Sequence, residues 1–294
     1  MFKFLVRLLY LPLFLIGGNG LALFIVAAGY SKLWLAALVL AFIAIAFMLE
    51  RAVPYDMAFN KSYGDRVRDF YHALFNEASS VIGVALVPIL AGLIEVPSIW
   101  PVEQPLWLQL LLAIFIADIG ITLVHYASHR IDALWRLHAV HHSIKRMYGF
   151  NGLMKHPLHQ TLETLAGTAP LLFLGIPQEV LSLFVVAVLL QLLLQHSNVA
   201  YFVGPLRHFL VVNVLHRFHH LNTGKEGDVN FGLFTTFTDH LLGTVYYDKG
   251  RVIGSDELGI AAQPNYPINY LSQLIHPFRP QEKLDYGAHQ EPAE

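Results

Sequence analysis

Residues 106–129 read LWLQLLLAIFIADIGITLVHYASH, and this stretch decides the fold class. From 106 to 124 it carries one charge, Asp118, and it is long enough to cross a bilayer as a helix, which takes about 20 residues. It then runs directly into His125 and His129. On a helix, residues four apart share one face, so the two imidazoles project together from the end of an apolar rod. A span that ends in paired ligand-type side chains predicts a membrane protein with a site at the membrane boundary.

The rest of the chain agrees. Of its 294 residues 55% are hydrophobic and 14% charged, whereas a soluble domain carries about 25% charged residues. Further apolar runs occupy 8–29, kinked by Pro12 and the glycines at 17–20, then 33–49, and more weakly 79–95, where Pro88 and Gly92 interrupt. A cleaved signal peptide competes for the first run, but its apolar stretch is too long for that reading. Apolar character returns from 162 to 194 and breaks at Gly175-Ile176-Pro177-Gln178, which predicts a helical hairpin, either spanning or re-entrant. The expected fold is an all-α integral membrane protein. It has about four transmembrane helices, this hairpin, and a histidine-rich cytosolic helical cap from about 197 onward. Three regions follow: an N-terminal transmembrane hairpin and loop (1–78), a catalytic membrane region (79–280) and a polar tail (281–294).

Basic residues set the orientation. With the N-terminus cytosolic, Lys3, Arg7, Arg51, Lys61, Arg66 and Arg68 fall inside, as do Arg130, Arg136, Lys145, Arg146 and Lys155, and only Lys32 is left outside. All the histidine motifs land on that same side. The net charge of −2 offers no broad footprint for nucleic acid. Cysteine is absent, which excludes disulfides, thiolate zinc sites, iron–sulfur clusters and thiolate-ligated haem. Any metal is held by nitrogen or oxygen.

Sixteen histidines stand against nineteen Lys plus Arg, and eight of them form three motifs. These are His125 and His129 in HYASH, His138, His141 and His142 in HAVHH, and His216, His219 and His220 in HRFHH. The i, i+3, i+4 spacing puts each set on one helix face, the pattern expected when helices converge on metal. Imidazole suits iron, zinc, copper or nickel. Asp118 lies two turns before His125, and an acid inside an apolar span needs a partner. Orienting a ligand imidazole through its second N–H is the role expected of it. Asp228, Asn230 and Asp239 are further candidates for support of the ligands or for helix capping.

The three motifs in this order resemble the fatty acid hydroxylase/sterol desaturase superfamily of membrane non-haem di-iron enzymes. LWRLHAVHHS at 134–143, QHSN at 195–198 and VNFGLFTTFTDHLLGT at 229–244 carry the same resemblance, which extends from residue 49 to 278 and looks most like bacterial members. It implies two iron ions and O2 as co-substrate. It implies hydroxylation or desaturation of a fatty acyl, sterol or isoprenoid C–H bond, on a lipid that enters from the bilayer. With no flavin, dinucleotide or haem motif in the chain, electrons are expected from a separate reductase, ferredoxin or cytochrome. The resemblance adds His196 as a ninth ligand. His156 is the next candidate, against a turn-stabilising His-Pro role, and His159 ranks below it. His72, His208, His240, His276 and His289 lack partners at ligand spacing and are expected to be structural or solvated. One departure stands out: many relatives have Arg where this chain has Met154, before Lys155-His156-Pro157, which leaves the substrate more open. Two competing readings are a non-catalytic zinc-binding or transport protein, and an iron-dependent aldehyde-processing enzyme on the same scaffold.

Overall fold

The computed structural model describes residues 1–93 and 98–280, with backbone alone at 81, 83–93, 224 and 225. The expected tail 281–294, with His289, and the end of the 79–95 run lie outside the described residues. Ten helices carry the architecture: α1 (Phe2–Ala27), α2 (Leu33–Ala52), α3 (Arg66–Leu93), α4 (Leu106–Ser128), α5 (Asp132–His142), α6 (Pro157–Phe173), α7 (Gln178–Gln195), α8 (Asn213–His219), α9 (Phe237–Leu242) and α10 (Tyr270–Ile275). Among the described residues no sheet forms; the only β pairings are isolated bridges such as Leu210 with Thr235. Among the described residues four helices, α1, α2, α4 and α7, are long and apolar enough to cross a membrane. The chain is an all-α multi-pass membrane protein with a histidine-rich helical region.

Each span shows why it is a helix of this kind. On α4 the buried positions include Leu110, Ala113, Ala117, Asp118, Ile121, Thr122 and His125, a 3.6-residue stripe that carries straight into the histidine pair. Its opposite face exposes Trp107, Leu111, Phe115 and Leu123, apolar side chains that suit lipid rather than water. The kink expected in α1 takes the form of a π-helical turn over Leu13–Gly18, just after Pro12. Asn19 Nδ2 donates to the Leu15 carbonyl at 2.9 Å, supplying a donor within that disturbed turn.

The 79–95 run is not a separate element. It continues a helix that begins at Arg66, passes position 78 and runs through Pro88 and Gly92 as far as Leu93. The first half of α3 is amphipathic: Arg68, Asp69, His72, Ala73 and Asn76 are buried, whereas Val67, Phe70, Tyr71 and Leu74 are exposed. Its buried face receives the loop after α5. Arg146 grips Asp65 with two bonds of 2.8 and 2.9 Å, and Tyr148 donates its hydroxyl to Asp69 at 2.8 Å. The N-terminal part of the chain is therefore built into the same unit as the histidine motifs.

The hairpin forms as expected, with α6 and α7 joined through Gly175 at φ +78°. Its turn lies remote from the site, and both its free ends return to the histidines. α4 and α6 make the most extensive helix pairing in the molecule. Glycine makes that pairing possible: a Cβ on Gly120 would stand 2.1 Å from the Ala166 carbonyl oxygen, and one on Gly167 would stand 2.9 Å from Ile121. Small residues let helix backbones approach closely in the membrane. Gly120→Leu is expected to push α6 away from α4 and to destabilise the protein by at least the roughly 1–3 kcal/mol typical of overpacking. Thermal unfolding in detergent should show the drop, and an unchanged melting temperature would contradict this packing.

Candidate metal centre

The three motifs converge from α4, α5 and α8. Each triplet is divided between two neighbouring clusters rather than kept whole. One cluster holds His125, His129, His138, His142 and His219, and the other holds His141, His196, His216 and His220. The i, i+4 pairs, 138 with 142 and 216 with 220, stay together. The intervening residues, His141 and His219, turn to the opposite cluster.

In the first cluster the Nε2 atom of His125 lies 3.1 Å from that of His138 and 2.9 Å from that of His219. The Nε2 of His142 lies 3.2, 3.0 and 3.0 Å from those of His129, His138 and His219. In the second, Nε2–Nε2 distances are 3.3 Å for His141–His196, 3.1 Å for His196–His216 and 3.0 Å for His216–His220. Hydrogen bonding cannot account for this: an imidazole Nε2 offers one proton or one lone pair, yet that of His142 faces three others. Two metal–nitrogen bonds of about 2.1 Å at a right angle put their nitrogens about 3.0 Å apart. The spacing fits nitrogens arranged around a common ion.

The opposite ring nitrogens fix the tautomers. Nδ1–H of His125 donates to the Phe231 carbonyl at 2.7 Å, that of His141 to Met154 at 3.0 Å and that of His219 to Val229 at 2.9 Å. A carbonyl only accepts, so in each ring the proton sits on Nδ1 and the Nε2 lone pair faces inward. Nδ1 of His196 faces the Leu192 carbonyl at 3.3 Å. The Nδ1 atoms of His138, His216 and His220 have no partner among the described residues, so packing alone orients those rings. Burial holds His138, His141, His142, His216, His219 and His220 well below the usual histidine pKa of 6.5, and neighbouring imidazoles lower them further. His196 is brought to about 3 by the same burial, with Lys155 adding to it. All stay neutral at pH 7, the form that binds metal.

Two expectations are corrected here. His156 joins neither cluster: it caps α6, where its Nδ1 accepts the Leu158 N–H at 3.2 Å and its Nε2 faces the Leu274 carbonyl at 3.2 Å. His159, ranked below it, is the one that reaches the site, with its ring centroid 4.5 Å from that of His138. His159 Nε2 meets the Ser128 hydroxyl at 2.9 Å, and its Nδ1 lies 3.8 Å from Glu163. Asp118, expected to hold an imidazole, touches none. Its Oδ1 accepts the N–H groups of Leu233 and Phe234 at 3.1 and 2.8 Å, and its Oδ2 accepts the N–H and hydroxyl of Thr235 at 2.9 and 2.6 Å. Asp239 accepts the N–H groups of Phe231 and Gly232, both at 2.8 Å. Five consecutive amides, 231 to 235, are thus held by two carboxylates, and the Phe231 carbonyl of that loop is the one that receives His125. Asp228 lies 3.7 Å from His129 Nδ1 and pairs with Arg130. Asn230 adopts φ +54° and ties the loop to Leu215 and Tyr246.

Glu50 was not singled out from the sequence. Its Oε1 accepts the N–H groups of Gly149 at 2.8 Å and Asn198 at 3.1 Å, anchoring the segment beside His196. The signal was available: an acid bordering an apolar span, much as Asp118 sits inside one. An apolar cavity of about 220 Å³ lies within one helical turn of His125 and His196, although none of the nine clustered histidines lines it. Ile121, one turn before His125, and Leu192, one turn before His196, line it, as does Leu233 of the pinned loop. Leu172, Phe184 and Val188 continue its wall along the hairpin.

Fold and site together define a multi-pass membrane protein with two adjacent all-histidine clusters that could hold metal ions, near an apolar cavity. The fatty acid hydroxylase family model matches residues 110–244, the segment that contains both clusters. The chain is 31% identical over 277 residues to the ornithine lipid hydroxylase OlsE of Rhizobium tropici, covering 91% of this chain and 82% of that protein. It is 28% identical over 145 residues to the alkylglycerol monooxygenase of Danio rerio, covering 48% of this chain and 31% of that one. No solved structure matches. The chain belongs to the fatty acid hydroxylase family and is an oxidoreductase of that kind.

Replacing Asp118 by Asn puts an amide NH2 against N–H donors of the 233–235 loop. The expected result is a folded protein whose metal retention falls on the order of 10–100-fold, as when an outer partner of a metal ligand is lost. Metal content after dialysis against a chelator measures this; retention equal to the unaltered protein would show that the loop does not position His125.

Proposed function

We propose that this protein is an O2-dependent lipid hydroxylase holding two iron ions, one among His125, His129, His138, His142 and His219, the other among His141, His196, His216 and His220. The observation that carries the reading is the convergence of nine imidazoles in two adjacent clusters, with Ile121 and Leu192, one turn from His125 and His196, lining one apolar cavity. Five imidazoles in a single cluster exceed the four ligands of structural zinc, which favours iron over a zinc-storage role. The clusters also lie at helix ends rather than midway along the spans, which argues against a transport path.

Bound iron would supply the reduction of O2 to an oxidant able to attack an unactivated C–H bond, chemistry that side chains alone lack. The overall balance is R–H plus O2, two electrons and two protons giving R–OH and water. Both electrons come from an external reductase, ferredoxin or cytochrome. The chain's own residues bind and orient. Nδ1–H donors fix the rings of His125, His141 and His219; Asp118 and Asp239 hold the loop behind His125; Ile121, Leu192 and Leu233 keep water from the reacting carbon. One relative is named an ornithine lipid hydroxylase and another an alkylglycerol monooxygenase, which supports a membrane lipid as substrate and hydroxylation over desaturation. The distribution of basic residues supports a cytosolic N-terminus and a cytosolic site.

His219→Ala and His220→Ala each remove one ligand, from the first and the second cluster respectively. Each should lower the iron-to-protein ratio and cut hydroxylated product by more than the roughly 10–100-fold that loss of an outer partner costs. Iron analysis with mass spectrometry of extracted lipid reads both. Full iron and full turnover in either variant would refute the ligand assignment.

A further inference from the structure

The cavity beside the clusters has a polar end that an alkyl chain does not explain. Glu77 on α3, Glu163 on α6 and Lys155 between them all line it. Asn76 Nδ2 donates to the carbonyls of Leu153 and Lys155, both at 2.9 Å, and the His72 ring meets the Lys155 carbonyl at 2.9 Å. These bonds fix Lys155 against the turn of α3 that carries Glu77. The ammonium of Lys155 is taken up by Glu163, which is itself buried. Glu77 forms no hydrogen bond among the described residues. Two carboxylates and one ammonium therefore face a cavity whose other walls include Leu172, Leu181, Phe184 and Leu189.

We propose that this polar end binds the ammonium of an amine-bearing lipid headgroup, with Glu77 as its counter-ion and the acyl chain lying along the hairpin wall. The proposal rests on the lipid hydroxylase reading and names its substrate class. A carboxylate in an apolar cavity is costly unless it is paired. Burial raises the Glu77 carboxyl to about 7, with Lys155 opposing the rise; a neutral diol or sterol hydroxyl leaves the negative charge it does carry uncompensated, and a phosphate adds to it. An ammonium cancels it. Lys155 has two further N–H donors beyond the one given to Glu163, and these suit carbonyl or carboxylate oxygens of the same headgroup. Gln160 and Thr164, linked at 3.3 Å along α6, extend the polar side next to them.

The test uses the full-length, iron-loaded protein in detergent and reads lipid binding by native mass spectrometry and thermal shift. Three probes are compared: an ornithine lipid with its free amine, the same lipid acetylated at that amine, and an O-alkylglycerol. The free amine is expected to bind on the order of 30-fold or more tighter than the acetylated form, the scale of a desolvated charge pair. Glu77→Gln should erase that preference and leave iron content unchanged, and Glu77→Asp should restore part of it. Equal binding of the three lipids overturns the proposal, as does a preference that survives in Glu77→Gln. A protein that selects the amine lipid through Glu77 but forms no hydroxylated product keeps this assignment and sinks the hydroxylase reading, so the two fail separately.

Discussion

Nine imidazoles must be held neutral, buried and aimed at two points, and the rest of the structure answers to that requirement. A solvated imidazole with an ordinary pKa would be protonated part of the time and would turn freely about its side-chain bonds. Burial removes the first problem and creates another, because each ring brings a second nitrogen that needs its own partner or a packed place. The fold spends backbone carbonyls on this task. Phe231, Val229 and Met154 each offer one, and each lies in irregular chain, where a carbonyl is free of helical bonding.

Irregular chain is a poor foundation unless something fixes it. Here the fixing agents are carboxylates. Asp118 emerges from the middle of a span and Asp239 from a short helix, and between them they take up every amide from 231 to 235. Gln195 adds a donor to the Gly232 carbonyl at 2.9 Å, and Gln191 adds one to Leu233 at 2.8 Å. The loop is thereby held at each of these amides while leaving the Phe231 carbonyl available to His125. The division of each HxxHH triplet between two clusters tightens the assembly further. Because α5 and α8 each feed both clusters, neither cluster can shift without moving the other.

This division explains what could and could not be read from the chain. Spacing shows that 138, 141 and 142 share a broad helix face, and the spans follow from runs of apolar residues, so the site and most of the fold were legible. Whether a face serves one ion or two depends on how helices cross, and spacing carries no information about that. His156 and His159 make the same point. They differ by three residues on one short stretch, yet Pro157 starts α6 between them. The first becomes a cap with both nitrogens engaged, while the second turns into the protein beside His138. Asp118 was recognised as needing a partner, but its partners are backbone amides, which leave no mark in residue identity. The α3 helix was missed because its first half is amphipathic and charged and only its second half is apolar.

Position 154, where the family resemblance implies an arginine, can be followed through the same geometry. The contact made there with the metal centre is the carbonyl that accepts His141 Nδ1–H, and any residue supplies a carbonyl. The Met154 side chain points away into a buried cluster with Ile144, Met147 and Phe218. An arginine in that place would need its charge paired within the same apolar cluster, whereas a flexible thioether simply fills it. Met154 is not among the residues lining the cavity, whereas its neighbour Lys155 is. The change therefore alters the packing behind the ligands and leaves the cavity to Lys155, Glu77 and Glu163. The charged groups that line this cavity are those three residues, and position 154 is not one of them.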